Sequence, residues 1–359
     1  RLIEKTVPEC LKVQNFRQIK HNQFKPTILN CTALIEMEAG ESILLETIQK
    51  TLDDYGIKDT KHNIEKDIAA IVVPEPDAEG LTTLLEGVDA TGAPAVLPVV
   101  TERPLTIYLN RQEIVTTMTV GDQPQEMAVG FLFNQNMLLS ADDISAIDYD
   151  DELGVVVVRT AHETDFEDKL QKKIRTSGCA QGTLYGDIMT RFDAVKLPAE
   201  GRISTRQIIQ LSKTVNMMPS LYLKAGAIHA CVLCSGAEPL IYCEDIGRHN
   251  AADKVAGYML LSEISGHDKV FYTTGRLTSE MVIKTVLMDI PILISRSGFT
   301  EAGVRLARQA GLTLIGRARG SRFIALAGAE RIEFDAPEPD MLDDEEQMSA
   351  QRKLYGAKR

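Results

Sequence analysis

Cysteine is scarce in this chain. Six in 359 residues are too few for a disulfide framework standing in for a core. Glycine, at 25 residues with no triplet period, excludes a collagen-like rod. No apolar run reaches the ~18 residues that a membrane-spanning helix needs. Residues 1–30 lack the basic stretch followed by a long apolar one that marks a secretory signal. Neither a membrane span nor an export signal is therefore expected. Positive charge is also in deficit: 39 Lys and Arg stand against 51 Asp and Glu, a formal net charge of -12. That balance argues against a protein that wraps nucleic acid.

What is present is ordinary globular material. Hydrophobic residues make up 44% and charged residues 25%, and the length fits two or three domains of ~100–200 residues each. Residues 1–95 read as a small α+β module of unknown role, with a strand at 27–36, a helix at 42–55, a strand at 68–73 and a short helix at Leu81–Leu85. Asp89–Pro94 then reads as a boundary. Residues 97–200 read as a mixed, β-rich domain. In it Leu105–Leu109 and Ile114–Met118 form a hairpin, Pro124–Met137 a helix and Val155–Val158 a strand. From 204 to 334 strand and helix signals alternate, which argues for a layered α/β domain whose parallel strands are joined by helical crossovers. Residues 335–359 are an acidic, partly disordered tail. From Glu330 to Glu346 there are nine acids and one base, Arg331.

Polar residues gather at the ends of these elements. Gly178 and Cys179 lie in a loop rich in Gly and Ser. Lys173 and Arg175 nearby would favour a thiolate, so Cys179 is a candidate reactive thiol; an inert cysteine is the alternative. Glu244, Asp245, Arg248, His249 and Asn250, with Asp253 and Lys254, fall between a strand and a helix, where α/β sheets bind ligands. Asn250 is a candidate helix cap, and His249 a base, a donor or a structural residue. Thr273–Ser279, with Arg276, suits an anion at a helix start but lacks the Walker A pattern. Arg296, Arg317, Arg319 and Arg322 follow strands, and Arg is suited to phosphates. Such a set in an acidic protein points to a small anionic ligand, against the blander reading of surface pairing.

Cys231 and Cys234 have metal-ligand spacing, with Cys243 and His229 close by. The stretch is apolar and no second pair matches it. In a strand the two thiols would fall on mismatched faces, so packing is preferred to a zinc site or a redox pair.

Seven segments then stand in a familiar order: Gly121–Phe133 (GDQPQEMAVGFLF), Ser177–Cys179 (SGC), Gly226–Ala230 (GAIHA), Glu244–Lys254 (EDIGRHNAADK), Thr274–Arg276 (TGR), Ile292–Ser297 (ILISRS) and Ala318–Gly320 (ARG). Across about residues 97–330 the chain resembles the FdhD/NarQ family of formate dehydrogenase accessory sulfurtransferases. The resemblance implies an α/β fold: a C-terminal three-layer domain resembling the cytidine deaminase fold, beside a smaller mixed α+β N-terminal part. It implies a cytoplasmic homodimer that takes sulfur from a cysteine desulfurase as a cysteine persulfide. The sulfur passes to the bis-molybdopterin guanine dinucleotide cofactor used by formate dehydrogenase, with no catalytic metal ion. By motif position Cys179 is the carrier thiol, and Arg317, Ala318, Arg319, Gly320, Ser321 and Arg322 form the cofactor-binding segment. Asp245, Arg248, His249, Asn250 and Arg276 are supporting candidates. The deaminase-like fold implies no deamination, because the zinc signature of those enzymes is absent. Two departures stand out. The family loop commonly carries a second cysteine where this chain has Gly182, and residues 1–95 have no counterpart. The first leaves a non-enzymatic cofactor-binding chaperone, or a simple nucleotide-binding protein, as the alternatives.

Overall fold

A computed structural model describes residues 72–161, 174–175, 182–183, 185–199 and 201–335. All belong to one compact unit, Ala70–Arg359. The strand expected at 27–36, the helix at 42–55, most of the strand at 68–73 and the acidic tail beyond 335 lie outside the described residues. Cys179 does as well.

The first elements are β1 (Thr82–Val88) and β2 (Pro94–Val100), an antiparallel hairpin. The helix expected at Leu81–Leu85 is therefore a strand, and Asp89–Pro94 is a turn rather than a boundary. The reason is local. Asp89 Oδ1 accepts hydrogen bonds from Thr91 N, Thr91 Oγ1 and Ala93 N, an Asx-type closure that reverses the chain and commits the flanking residues to pairing. β3 (Arg103–Leu109) and β4 (Gln112–Thr119) form the expected hairpin. The helix α1 (Pro124–Asn134) follows with Pro at its start, where the missing N–H costs nothing. β5 (Ile144–Asp150) and β6 (Val155–Thr160) complete a four-stranded sheet of order β4-β3-β6-β5. Its core packs α1 through Met127, Ala128 and Leu132 against Leu105, Ile107, Val156 and Val158.

Then come β7 (Ile174–Arg175), β8 (Gly182–Thr183) and α2 (Tyr185–Ala194). The two short strands pair antiparallel, one on each side of Cys179 in sequence. β9 (Ile203–Ser204) leads into α3 (Thr205–Met217), which a capping box between Ser204 and Gln207 opens. α4 (Leu221–Ala225), β10 (His229–Ser235), β11 (Glu238–Asp245) and α5 (Arg248–Leu261) follow. After them β12 (Lys269–Thr273), α6 (Ser279–Leu287), β13 (Ile292–Ser295), α7 (Glu301–Ala310), β14 (Thr313–Arg319), β15 (Arg322–Ala327) and β16 (Ile332–Glu333) alternate.

The large sheet has the order β11-β10-β12-β13-β14-β15. β12, β13 and β14 run parallel, and β10, β11 and β15 are antiparallel to their neighbours. The parallel strands are apolar on both faces, as strands covered on both sides must be. Helices α2, α5, α6 and α7 pack on one face through Phe271, Leu293 and Leu314. Helix α3 covers the other through Val232, Tyr272 and Ile294. The result is a mixed α/β, three-layered body.

The two sheets are joined through α1 and α5, which meet backbone to backbone. A Cβ on Gly130 would lie 1.7 Å from Asp253 O, and one on Gly257 would lie 1.9 Å from Glu126 O. Only glycine permits that approach. It is what brings the end of β4, with Thr119, and the α1 entry loop, with Asp122, onto the sheet that carries the polar residues.

Candidate functional site

Register places the polar residues along one edge of the large sheet. His229, at the start of β10, faces Asp245, at the end of β11. Cys231 faces Thr273, at the end of β12, which in turn pairs with Ser295 at the end of β13. β14 runs parallel to β13 and overshoots it, so Arg317 and Arg319 reach past that edge and Arg322 returns from it on β15. The Arg317–Arg322 segment is thus the tip of a hairpin rather than a loop after a strand. Arg276, Arg317, Arg319 and Arg322 are exposed. Arg317 sits at φ 53, a left-handed conformation that a branched-chain residue would resist.

Two buried hydroxyls shape the loops there. Thr273 Oγ1 accepts from Gly275 N at 3.1 Å and donates to Ala230 O at 3.2 Å. Ser295 Oγ donates to Gly275 O at 2.6 Å and accepts from Ser297 N at 2.9 Å. The second loop is then stitched to the arginine hairpin: Arg317 N donates to Ser297 O at 2.8 Å, and Arg319 Nε to Arg296 O at 3.3 Å. Arg296 donates to Asn216 Oδ1 at 3.2 Å and stands 5.6 Å over the Tyr222 ring. His229 Nδ1 lies 3.3 Å from Thr274 Oγ1. Burial holds its pKa below the ordinary value, and the charges of Arg248 and Arg276 push it further down. A neutral imidazole among guanidinium groups is the outcome.

Beneath this surface lies a buried charge network. Lys254 Nζ contacts Asp245 Oδ2 at 2.8 Å, Glu244 O at 2.8 Å, and Asp122. Burial alone would lower its pKa, but Asp245 and Asp122 outweigh it and hold the ammonium above the usual lysine range. Asp245 also accepts from Thr119, from Gly247 N at 3.1 Å and from Asn250 Nδ2 at 2.9 Å. Asn250 further donates to Met118 O at 2.8 Å. It is therefore not the cap of α5. Gly247 holds that position, and Asn250, one turn in, ties the helix start to β4. A second buried pair, Lys284 with Asp253 at 2.6 Å, is joined by Asn134 Nδ2 at 2.7 Å. His249 Nε2 lies 3.0 Å from Glu280 Oε2 on α6. Burial keeps its pKa low, partly offset by Glu280.

Glu244 is set apart. Its carboxylate accepts from Leu221 N at 2.8 Å and Tyr222 N at 3.1 Å, so it anchors the start of α4. Burial raises its pKa to about 7, the two backbone bonds opposing this and the Asp122 charge adding to it.

Cys231 and Cys234 fall on opposite faces of β10, one in each half of the core. Both are wholly buried, as is Cys243. Burial raises the Cys231 thiol to about 12. Among the described residues no group of three or more His, Cys, Asp or Glu could hold a metal ion. No helix among them is long and apolar enough to cross a membrane.

Of the residues singled out from the sequence, Arg248, Arg276, Arg317, Arg319 and Arg322 share the sheet edge. Asp245 and Asn250 lie just under it in the charge network, and His249 is turned to α6. Local patterning did not single out Thr119, Asp122, Tyr222 or Asn216. They act through contacts distant in sequence, which no spacing rule reports.

Fold and edge together define an α/β protein with an arginine-rich sheet edge beside a buried charge network. The FdhD/NarQ family model matches residues 100–333, and the chain belongs to that family. It is 32% identical over 237 residues to the sulfur carrier protein FdhD of Listeria monocytogenes, covering 65% of this chain and 91% of the relative. The sulfur carrier protein FdhD of Bacillus subtilis is also 32% identical, with 65% and 89% covered. A crystal structure titled as a formate dehydrogenase accessory protein, from Desulfotalea psychrophila, superposes with a TM-score of 0.58 at 28% identity. It covers 70% of this chain and 100% of that one.

Proposed function

We propose that this protein is a sulfur carrier serving a molybdenum enzyme. Cys179 attacks the outer sulfur of a cysteine desulfurase persulfide; the new S–S bond forms as the donor leaves as a thiolate. The resulting persulfide is then presented to bis-molybdopterin guanine dinucleotide, bound as substrate, for use by formate dehydrogenase. Arg317, Arg319 and Arg322 receive the pyrophosphate, with Arg276 beside them, because guanidinium groups make charge-assisted hydrogen bonds to phosphate. Ala318, Gly320 and Ser321 complete that segment, and Arg248 extends the basic surface. Asp245, His249 and Asn250 position the start of α5.

The observation that carries this reading is the convergence of these arginines on one sheet edge in a member of the FdhD/NarQ family. The three layers support the expected likeness to the cytidine deaminase fold, and homodimerisation and cytoplasmic action belong to the same reading. Gly182 at the second cysteine position favours one rival, a chaperone that binds the cofactor without carrying sulfur.

One experiment separates them. The intact protein is incubated with cysteine and a desulfurase and weighed by mass spectrometry. A gain of one sulfur mapped to Cys179 and absent from C179A supports the carrier. No gain on the wild-type chain, with formate dehydrogenase activity fully rescued by C179A, supports the chaperone.

A further inference from the structure

At the opposite end of the large sheet, where β12 and β13 begin, the structure holds a cavity of about 350 Å³. The sulfur-carrier reading does not use it. Met259, Leu260, Ile264 and Met288 give it an apolar lining. Its charged lining residues are one cation, Arg191, and three acids, Asp142, Glu263 and Asp289, with His267 beside them. Arg191, on α2, is half-buried over the Phe133 ring, 4.4 Å from the centroid. Its Nη1 donates to Phe133 O at 3.1 Å and its Nη2 to Leu287 O at 3.5 Å. The guanidinium is thereby fixed, and of its five N–H donors these bonds use two.

Asp289 faces the same cavity from the turn after α6, also half-buried. Its backbone is left-handed at φ 58 and closes the turn through Asp289 N to Val286 O at 3.0 Å. Each of the two groups feels the other's charge, yet among the described residues no ion pair closes between them. His267 is the other ionisable neighbour of Asp289.

Arg191 and Asp289, half-buried beside these apolar side chains and not paired with each other, lose hydration without gaining each other, and Asp142 and Glu263 add negative charge to the same cavity. That arrangement is the complement of a zwitterion with an apolar substituent, and the volume falls in the range of small-molecule sites. We propose that this cavity binds a free α-amino acid with an aliphatic side chain, its carboxylate on Arg191 and its ammonium on Asp289.

The test is calorimetric titration of the full chain with L-leucine, L-leucinamide and 4-methylpentanoate. The amide lacks the carboxylate and the acid lacks the ammonium. L-leucine is expected to bind, with each analogue at least about tenfold weaker, the loss of one charged contact. D289N keeps the left-handed backbone, which Asn tolerates, and should leave the melting temperature unchanged while weakening L-leucine at least about tenfold. The analogue series needs no variant, so it decides the matter even if D289N is unstable. Equal binding of all three compounds, undiminished binding to folded D289N, or no heat with L-leucine at about 10 mM would each overturn the proposal.

Discussion

Lys254 Nζ lies 2.8 Å from Asp245 Oδ2, and both side chains are completely shut off from solvent. Three elements meet at this pair: β11 supplies Asp245, α5 supplies Lys254, and the loop before α1 supplies Asp122. Removing one partner of a buried pair strands the other charge, which costs about 3–5 kcal/mol. K254M should therefore lower the urea midpoint by an amount matching that loss. D245N with K254M should recover part of it, because no carboxylate is left without its cation at that position. An unchanged midpoint in K254M would refute the structural role assigned to the pair.

Glu244 gives the fold a pH dependence of definite sign. Its folded pKa, about 7, lies above the ordinary glutamate value of 4.5. The folded state therefore holds the proton more tightly than the unfolded chain, and this group's contribution is fully present below about pH 4.5. It is lost as pH rises through the folded value near 7. E244Q mimics the protonated form. Its melting temperature should exceed that of the wild type at pH 8 and the gap should close at pH 5. Parallel melting curves for the two proteins across that range would show that Glu244 does not titrate there.

Much of this architecture could be read directly. The alternation of strand and helix signals from 204 onward predicts parallel strands joined by helical crossovers, because the strands read as short apolar runs and the segments between them carry periodic apolar positions. The arginines were also legible, since an acidic chain with Arg clustered after successive strands is unusual. The β1–β2 hairpin was not. Leu81–Leu85 is too short to show a period, and the Asx closure at Asp89 decides it. Asn250 was misplaced by its neighbourhood in sequence: it looks like a cap, but its partners are Asp245 and Met118 O, the second contributed by a strand more than a hundred residues earlier. Pairings such as Thr119 with Asp245 depend on how two sheets dock, and only the helix crossing at Gly130 and Gly257 fixes that.

The crossing itself can be tested. A methyl group on Gly257 would sit 1.9 Å from Glu126 O, a backbone atom that cannot swing aside. G257A should force α1 and α5 apart. Overpacking of this kind typically costs ~1–3 kcal/mol, and a backbone clash should reach at least the upper end. Loss of stability by chemical denaturation is the readout. Gly311 is the control: it ends α7 at φ 69 with nothing near its missing Cβ, so G311A should be penalised only for its left-handed backbone, by about 1 kcal/mol. Equal effects at the two glycines would mean that the close approach of the helices does not matter.

The arginine hairpin predicts how ligand affinity responds to charge and salt. Arg317, Arg319 and Arg322 are exposed, so they are hydrated before binding and their attraction to phosphate is open to screening. Guanosine diphosphate carries the same phosphate and base chemistry as half of the proposed substrate and serves as the probe. The triple variant R317Q/R319Q/R322Q should bind it at least about tenfold more weakly at low salt, the equivalent of about 1.4 kcal/mol. Raising salt from about 0.05 M to about 0.5 M should weaken the wild type more than the variant, because the Debye length falls below ~5 Å over that interval. R319Q removes the Arg319 Nε bond to Arg296 O, a net loss of about 0.5–1.5 kcal/mol, so the melting temperature should fall by no more than that bond explains, which separates lost affinity from lost fold. A variant that keeps the wild-type affinity and the wild-type salt slope would take the phosphate away from this hairpin and return the three arginines to surface pairing.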